Sequence, residues 1–406
     1  MARIVQKFGG TSVADVKHIG IAALKVKAEV DRGNDVAVVV SAMSGVTNQL
    51  INYIKQASQL HDTREYDVVL SAGEQITSAL MALALNELEI PARSWLGWQL
   101  PVQTDGVHGN ATISQIVTDE IVRRFADGQV PVLAGFQGVS PENRITTLGR
   151  GGSDASAVSL AAVLGADRCD IFTDVDGVYT TDPRVVASAR KLEKVTYEEM
   201  LEMASLGAKV LQAKSVVLAM RGSVRLQVLS TFSESPGTLV VEEDEIVEQK
   251  VVSGIAYSRD EAKITLLRVD DRPGVAAAIF GPLADAGINV DMIVQNIAAD
   301  GQKTDVTFTV SRADMARTLK MLEEIRDAVP YDEVMPDQNV VKVSVIGVGM
   351  RANAGVAKEM FQTLADEGIN ILLISTSEIK ISILIEEKYT ELAVRALHSA
   401  YGLDNA

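Results

Sequence analysis

The last third of the chain repeats itself at a fixed distance. Gly274-Val275-Ala276, Phe280, Leu283-Ala284-Asp285 and Gly287-Ile288-Asn289 recur 81 residues later as Gly355-Val356-Ala357, Phe361, Leu364-Ala365-Asp366 and Gly368-Ile369-Asn370. A constant offset means one folding unit written twice, since any insertion would break the register. Each copy reads strand, glycine turn, amphipathic helix, Gly-Ile-Asn turn, strand. A further strand follows in each, at 305–310 and 380–385. The pattern predicts two small βαββαβ modules, 246–330 and 331–406.

The region before the repeat has a different grammar. Short apolar runs at 4–8, 36–41, 130–136, 170–173 and 224–229 alternate with helical patterns at 13–31, 46–60, 68–88 and 153–164. Continuous apolar strands separated by helices predict an α/β domain, an open, mainly parallel sheet between helices. Its end is marked by the turn Ser235-Pro236-Gly237-Thr238 and the acidic run Glu242-Glu243-Asp244-Glu245 with Glu248, read as a solvated linker. The first domain is therefore placed at 1–245.

Bulk properties narrow the function. A net charge of −16 and a pI near 4.8 argue against a general grip on nucleic acid. The N-terminus is charged and reaches Gly9-Gly10 with no apolar signal core, and no apolar run approaches the ~20 residues of a membrane span. Cys169 has no partner for an internal disulfide, and His18, His61, His108 and His398 share no ligand spacing. A reducing, cytoplasmic setting is expected, with no protein-built metal cluster.

No Walker A, His-Glu-x-x-His or Gly-x-Ser-x-Gly motif occurs. Gly347-Val348-Gly349-Met350-Arg351-Ala352 fits a dinucleotide fingerprint, but too little chain follows it, and the start of the second repeat accounts for it. Three polar glycine turns each follow a strand, where open α/β sheets bind ligands. Lys7-Phe8-Gly9-Gly10-Thr11-Ser12 offers backbone N–H groups and a point charge to a phosphate. Ser41-Ala42-Met43-Ser44-Gly45-Val46-Thr47 offers room and hydroxyls, or a helix cap at Ser44 or Thr47. Gly149-Arg150-Gly151-Gly152-Ser153-Asp154 offers a guanidinium fork for a carboxylate, and Asp154 either holds cations or stabilises a helix start. Ser71-Ala72-Gly73-Glu74 has the form of a capping box, which would make Glu74 structural. The loop from Thr173 to Arg184 could be turn chemistry alone.

In this order, the segments at 7–12, 41–47, 73–74, 149–154, 173–184 and Gly207-Ala208-Lys209-Val210-Leu211 resemble the aspartate kinase family, and the repeat resembles its pair of ACT domains. The resemblance spans nearly the whole chain. It implies that Lys7 and Lys209 stabilise the transferring phosphoryl group and that Asp154 organises them. Arg150 and Glu74 would hold L-aspartate at a carboxylate and the ammonium, with Gly151, Gly152, Ser153, Ser41 and Thr47 lining the site. Phe8, Gly9, Gly10, Thr173, Asp174, Tyr179, Asp182 and Arg184 would contact ATP together with Lys7 and Ser41. Effector amino acids, lysine and threonine, would bind at Asp271, Gly274, Ala276, Asn289, Asp291 and Gln295 in the first module. In the second they would bind at Asn370, Ile371, Ser377 and Glu378.

The chemistry agrees with this inventory. A carboxylate nucleophile with a reference pKa near ~3.9 is already ionised at neutral pH and needs no general base. Phosphoryl transfer needs positioning and charge cancellation, with Mg²⁺ carried mainly on the nucleotide phosphates. Self-association is expected, either of the whole chain or with a separately made regulatory subunit. The competing readings are another amino-acid kinase, a catalytically dead amino-acid sensor, and a dinucleotide enzyme built on residues 347–352.

Overall fold

Valine-rich runs such as Asp35–Val40 and Val130–Ala134 favour extended backbone, and both are buried along nearly their whole length. They join Arg3–Phe8 in one sheet. The computed structural model describes residues 1–206, 210–246, 251–297 and 303–404. The chain divides into two units, Met1–Tyr179 with Lys191–Glu248, and Thr180–Arg190 with Gln249–Ala406.

The first unit is built on an eight-stranded sheet. Its order is Lys194–Thr196, Thr238–Val241, Leu226–Ser230, Arg168–Thr173, Arg3–Phe8, Asp35–Val40, Val130–Ala134 and Ala92–Trp95. Every neighbouring pair is parallel except Leu226–Ser230 with Thr238–Val241. Parallel strands feed helices that cover the sheet, and one core joins the strands to Ile19, Ala23 and Val26 of helix Val16–Asp31 and Met81 and Leu85 of helix Thr63–Glu87. A second sheet of four short strands runs Ile113–Ile116, Val102–Thr104, Gln137–Val139, Ile145–Thr147.

Two helices differ from expectation in instructive ways. Val16–Asp31 starts three residues later than predicted, because Ser12 and Val13 donate their N–H groups to Gly9 in a turn and Asp15 caps the helix. Thr63–Glu87 runs 25 residues from its Asp62 cap, so Ser71 lies inside the helix and the capping-box reading of Glu74 fails. Its length and hydropathy also suit a membrane crossing. However, Asp67, Ser71, Glu74, Thr77 and Ser78 are all buried on its inward face, as in a core helix.

The second unit holds the two repeats. The first forms the sheet Asp291–Ile297, Lys303–Val310, Ala262–Asp270, Glu333–Asp337, and the second forms Gly254–Ser258, Val340–Ile346, Lys380–Glu386, Ile371–Thr376. The second sheet thus takes its outer strand, Gly254–Ser258, from within the expected bounds 246–330 of the first module, while Glu333–Asp337, expected in the second, pairs in the first sheet. Met292 of the first module packs with Val340, Leu373 and Leu384 of the second. Val348–Ala352 forms a turn of 3-10 helix before Gly355–Asp366, and a Cβ at Gly347, just ahead of it, would strike the Val251 carbonyl. Close packing explains that glycine without a dinucleotide.

Thr180–Arg190 also packs in the second unit. Val186 is buried with Ile255, Val343 and Leu397, and Ile255 donates its N–H to the Thr180 carbonyl at 2.7 Å. Fully buried His398 lies between Thr180 Oγ1 at 2.9 Å and Asp404 Oδ1 at 2.6 Å.

Candidate active site

The central strands end together, and the loops that follow are stitched to one edge. Gly9 donates to the Phe172 carbonyl at 3.1 Å, Ser41 to Phe8 at 3.0 Å, and Gly135 to Val40 at 3.0 Å. The glycine turns at 9–12 and 41–45 therefore meet at the carboxyl edge of the sheet. The helix Gly152–Leu164 brings the third turn there, because Asp154 in its first turn pairs with Lys7.

The Lys7–Asp154 pair is the electrostatic centre. Lys7 is 8% exposed and Asp154 7%, so neither charge is well solvated. Lys7 Nζ also lies 3.4 Å from where a Cβ on Gly9 would be, above the phosphate-turn candidate. A buried cation held by one carboxylate and facing a glycine turn suits a phosphoryl group, whose charge it cancels without bulk water. Asp154 is thus both a helix-start acid and the lysine's counter-ion.

Glu74 sits one helix away. Gly73 makes this possible, because a Cβ there would stand 2.7 Å from the Ala42 Cβ. With that contact the helix presses on the 41–45 turn, and the Ala42 N–H reaches the Glu74 carboxyl. Glu74 is 4% exposed, and burial pushes its pKa up to about 7, with the Ala42 N–H opposing. Among the described residues its Oε2 has no hydrogen-bond partner. A buried carboxyl with an empty oxygen is suited to receive an ammonium group.

Arg150 is exposed, and among the described residues its guanidinium has no hydrogen-bond or ion-pair partner. It stands between Gly149 and Gly151, and Gly151 caps the Gly152–Leu164 helix. Ser153 is buried in that first turn. Thr47 lies in the first turn of helix Val46–Ala57, whose cap is Gly45 with no side-chain bond, so neither Ser44 nor Thr47 serves as a side-chain cap.

The long loop is divided. In the first unit, Thr173 Oγ1 donates to Asp174 at 3.0 Å and Tyr179 donates to Asp176 at 2.9 Å. Asp182 and Arg184 belong to the second unit, where Arg184 Nη2 pairs with Asp182 at 2.8 Å and Tyr257 donates to the same carboxylate at 3.2 Å. Lys209 lies outside the described residues.

The effector candidates fall into local groups. Asp271 accepts from Gln295 at 3.4 Å, and Gly274 caps helix Val275–Asp285, which contains Ala276. Asp291, next to Asn289 and Val290 in sequence, pairs with Lys342 at 2.6 Å, and Lys342 reaches Glu261 at 2.7 Å. In the second module Asn370 precedes strand Ile371–Thr376, which Ile371 opens, while Ser377 and Glu378 lie in the turn beyond it. Glu378 pairs there with Arg351 at 3.5 Å.

Sequence reasoning missed Asp67, Gln137 and Lys342. The first two are buried polar residues under the site, and Lys342 is the buried cation joining the modules. Polar residues on a helix face turned inward were the available signal for Asp67.

Comparison with known proteins identifies the family and the fold. The amino acid kinase family matches residues 2–230, and ACT domains match 263–328 and 343–401. An aspartate kinase of Stutzerimonas stutzeri is 56% identical over 405 residues, 100% of this chain and 98% of that one. The structure of E. coli aspartokinase III in complex with aspartate and ADP (R-state) matches with TM-score 0.82 at 28% identity. It covers 98% of this chain and 99% of that one. The same enzyme in complex with lysine and aspartate (T-state) matches with TM-score 0.77 at 29% identity, over 98% of each chain. The chain belongs to the aspartate kinase family, within the amino acid kinase family, and is an ATP-dependent phosphotransferase.

Proposed function

We propose that the chain transfers the γ-phosphoryl of MgATP to the side-chain carboxylate of L-aspartate, giving 4-phospho-L-aspartate. The observation that carries this is the meeting, at one sheet edge, of the buried Lys7–Asp154 pair and a buried Glu74 with an empty oxygen. Lys7 cancels charge on the phosphoryl oxygens in flight, and Lys209 is assigned the same task by resemblance. Glu74 takes the substrate ammonium, and Arg150 takes a carboxylate through its planar fork. Ser41, Thr47 and the 151–153 backbone line the acceptor site. The 7–10 turn, with Thr173, Asp174 and Tyr179, takes the nucleotide, and Asp182 and Arg184 are assigned to it by resemblance alone. MgATP enters as one substrate. Its Mg²⁺ would keep most of its waters and lean on the phosphate oxygens rather than on a protein-built cluster. The proposed setting is the cytoplasm and the first step toward lysine, threonine and methionine.

Because the product is an acyl phosphate, hydroxylamine in the assay traps it as an aspartate hydroxamate. Hydroxamate formed from aspartate and MgATP supports the reading. ADP release without hydroxamate points to a different acceptor atom and removes it.

The paired modules are assigned to feedback inhibition by lysine and threonine. Inhibition requires each effector to bind a less active arrangement more tightly than the active one. Millimolar lysine plus threonine are expected to lower turnover together by more than the product of their separate effects. Full activity with both present removes this assignment. Sedimentation with and without effectors tests the expected oligomer.

A further inference from the structure

Under the Gly149–Arg150 turn lies a buried carboxylate that the reaction does not touch. Asp67, in helix Thr63–Glu87, is fully buried and is met by three hydrogen-bonding groups. His108 Nδ1 lies 2.7 Å from Oδ2, the Gly109 N–H is shared between both oxygens at 3.1 Å, and Thr147 Oγ1 donates to Oδ1. These partners come from the 107–111 loop and from the end of strand Ile145–Thr147, the two segments that frame the turn. Ala111 donates its N–H to the Thr147 carbonyl at 2.9 Å. Gly149, at φ +73°, abuts the same loop, since a Cβ there would stand 2.8 Å from Asn110 Oδ1 and 3.3 Å from the Gly109 carbonyl. Lys214 Nζ adds weaker contacts to the Ala111 and Leu148 carbonyls at 3.4 and 3.3 Å.

A fully buried carboxylate is costly unless its hydrogen bonds are filled. Asp67 has its bonds filled, and all of them lead to backbone or side chains beside Arg150. On the same helix, seven residues on and on the same inward face, Glu74 reaches the 41–45 turn. One rigid helix therefore supports Glu74 at one point and the Arg150 turn at another, roughly 10 Å along its axis.

We infer that Asp67 is a positioning residue for acceptor binding: through Gly109 and Thr147 it sets where Arg150 stands relative to Glu74. This rests on the reading of Arg150 and Glu74 as the acceptor's carboxylate and ammonium partners. Loosening the turn should weaken the acceptor and leave the nucleotide alone, because the 7–10 turn makes none of these bonds.

The experiment measures KM for aspartate and for MgATP, with kcat, in Asp67→Ala, Asp67→Asn, Thr147→Val and Arg150→Ala. Small displacements of binding groups are costly, so Asp67→Ala should raise KM for aspartate about tenfold and Thr147→Val about threefold. KM for MgATP should stay within about twofold, as it reports uniform binding elsewhere. Asp67→Asn keeps the shape and most bonds, so it should recover most of the affinity lost in Asp67→Ala. Thr147→Val carries the test if Asp67→Ala does not fold. Equal rises in both KM values, or wild-type aspartate KM in Thr147→Val and, where it folds, in Asp67→Ala, overturn the inference. If Arg150→Ala itself leaves the aspartate KM unchanged, the acceptor-site reading fails first. If Arg150→Ala raises it and the Asp67 and Thr147 variants do not, only the positioning role falls.

Discussion

Lys7→Ala should lower kcat by about 10²–10³ while changing KM for aspartate by less than about fivefold. Lys7 is the buried cation at the carboxyl edge, beside the Gly9-Gly10 turn. In the proposed role its charge acts most on the phosphoryl group in transit, so its loss is expected to fall mainly on the chemical step. The same change strands Asp154, a buried carboxylate, without its cation. Breaking a buried pair from one side costs about 3–5 kcal/mol of stability, so thermal unfolding must be measured beside the kinetics. The double variant Lys7→Ala with Asp154→Asn separates the two effects. It should regain much of the melting temperature and none of the kcat. Recovery of both together would make Lys7 a structural residue.

The second large effect is one of pH. Burial raises the Glu74 carboxyl to about 7, so it is mostly neutral at pH 6 and mostly ionised at pH 8. Only the ionised form attracts an ammonium strongly. The acceptor's own side-chain carboxylate, near ~3.9, does not titrate in that window. KM for aspartate should therefore fall about tenfold between pH 6 and pH 8. Glu74→Gln should raise KM at pH 8 by about ten- to hundredfold, the worth of a hydrogen bond to a charged group, and should flatten its pH dependence. A Gln variant whose aspartate KM still falls across that window would place the titrating group elsewhere.

Much of the architecture was legible because it is written in periodicity. Valine runs buried on both sides gave the strands of the parallel sheet, and the 81-residue offset gave the two modules. What periodicity does not carry is which strand pairs with which. Gly254–Ser258 pairs with the second module and Glu333–Asp337 with the first, and no local pattern marks that exchange. Nor does local sequence show that Thr180–Arg190 packs in the second unit, since Val186 finds its partners in residues far along the chain.

The site divides in the same way. Lys7, the glycine turns and Asp154 could be proposed from strand ends alone, and the fold brings them to one edge. Glu74 read as a cap because Ser71-Ala72-Gly73-Glu74 fits that pattern, and only the extension of the helix back to Thr63 places it mid-helix and buried. Asp67 carried no motif, because its role comes from burial beneath two segments, His108–Gly109 and Thr147, that lie 41 to 80 residues away in sequence.

The most direct test of the central claim is ADP release from MgATP with L-aspartate, with L-glutamate, and with no acceptor. The account predicts turnover that depends on aspartate, with glutamate and the blank close to each other. Folded protein that releases ADP equally with all three, or that prefers glutamate, would contradict it.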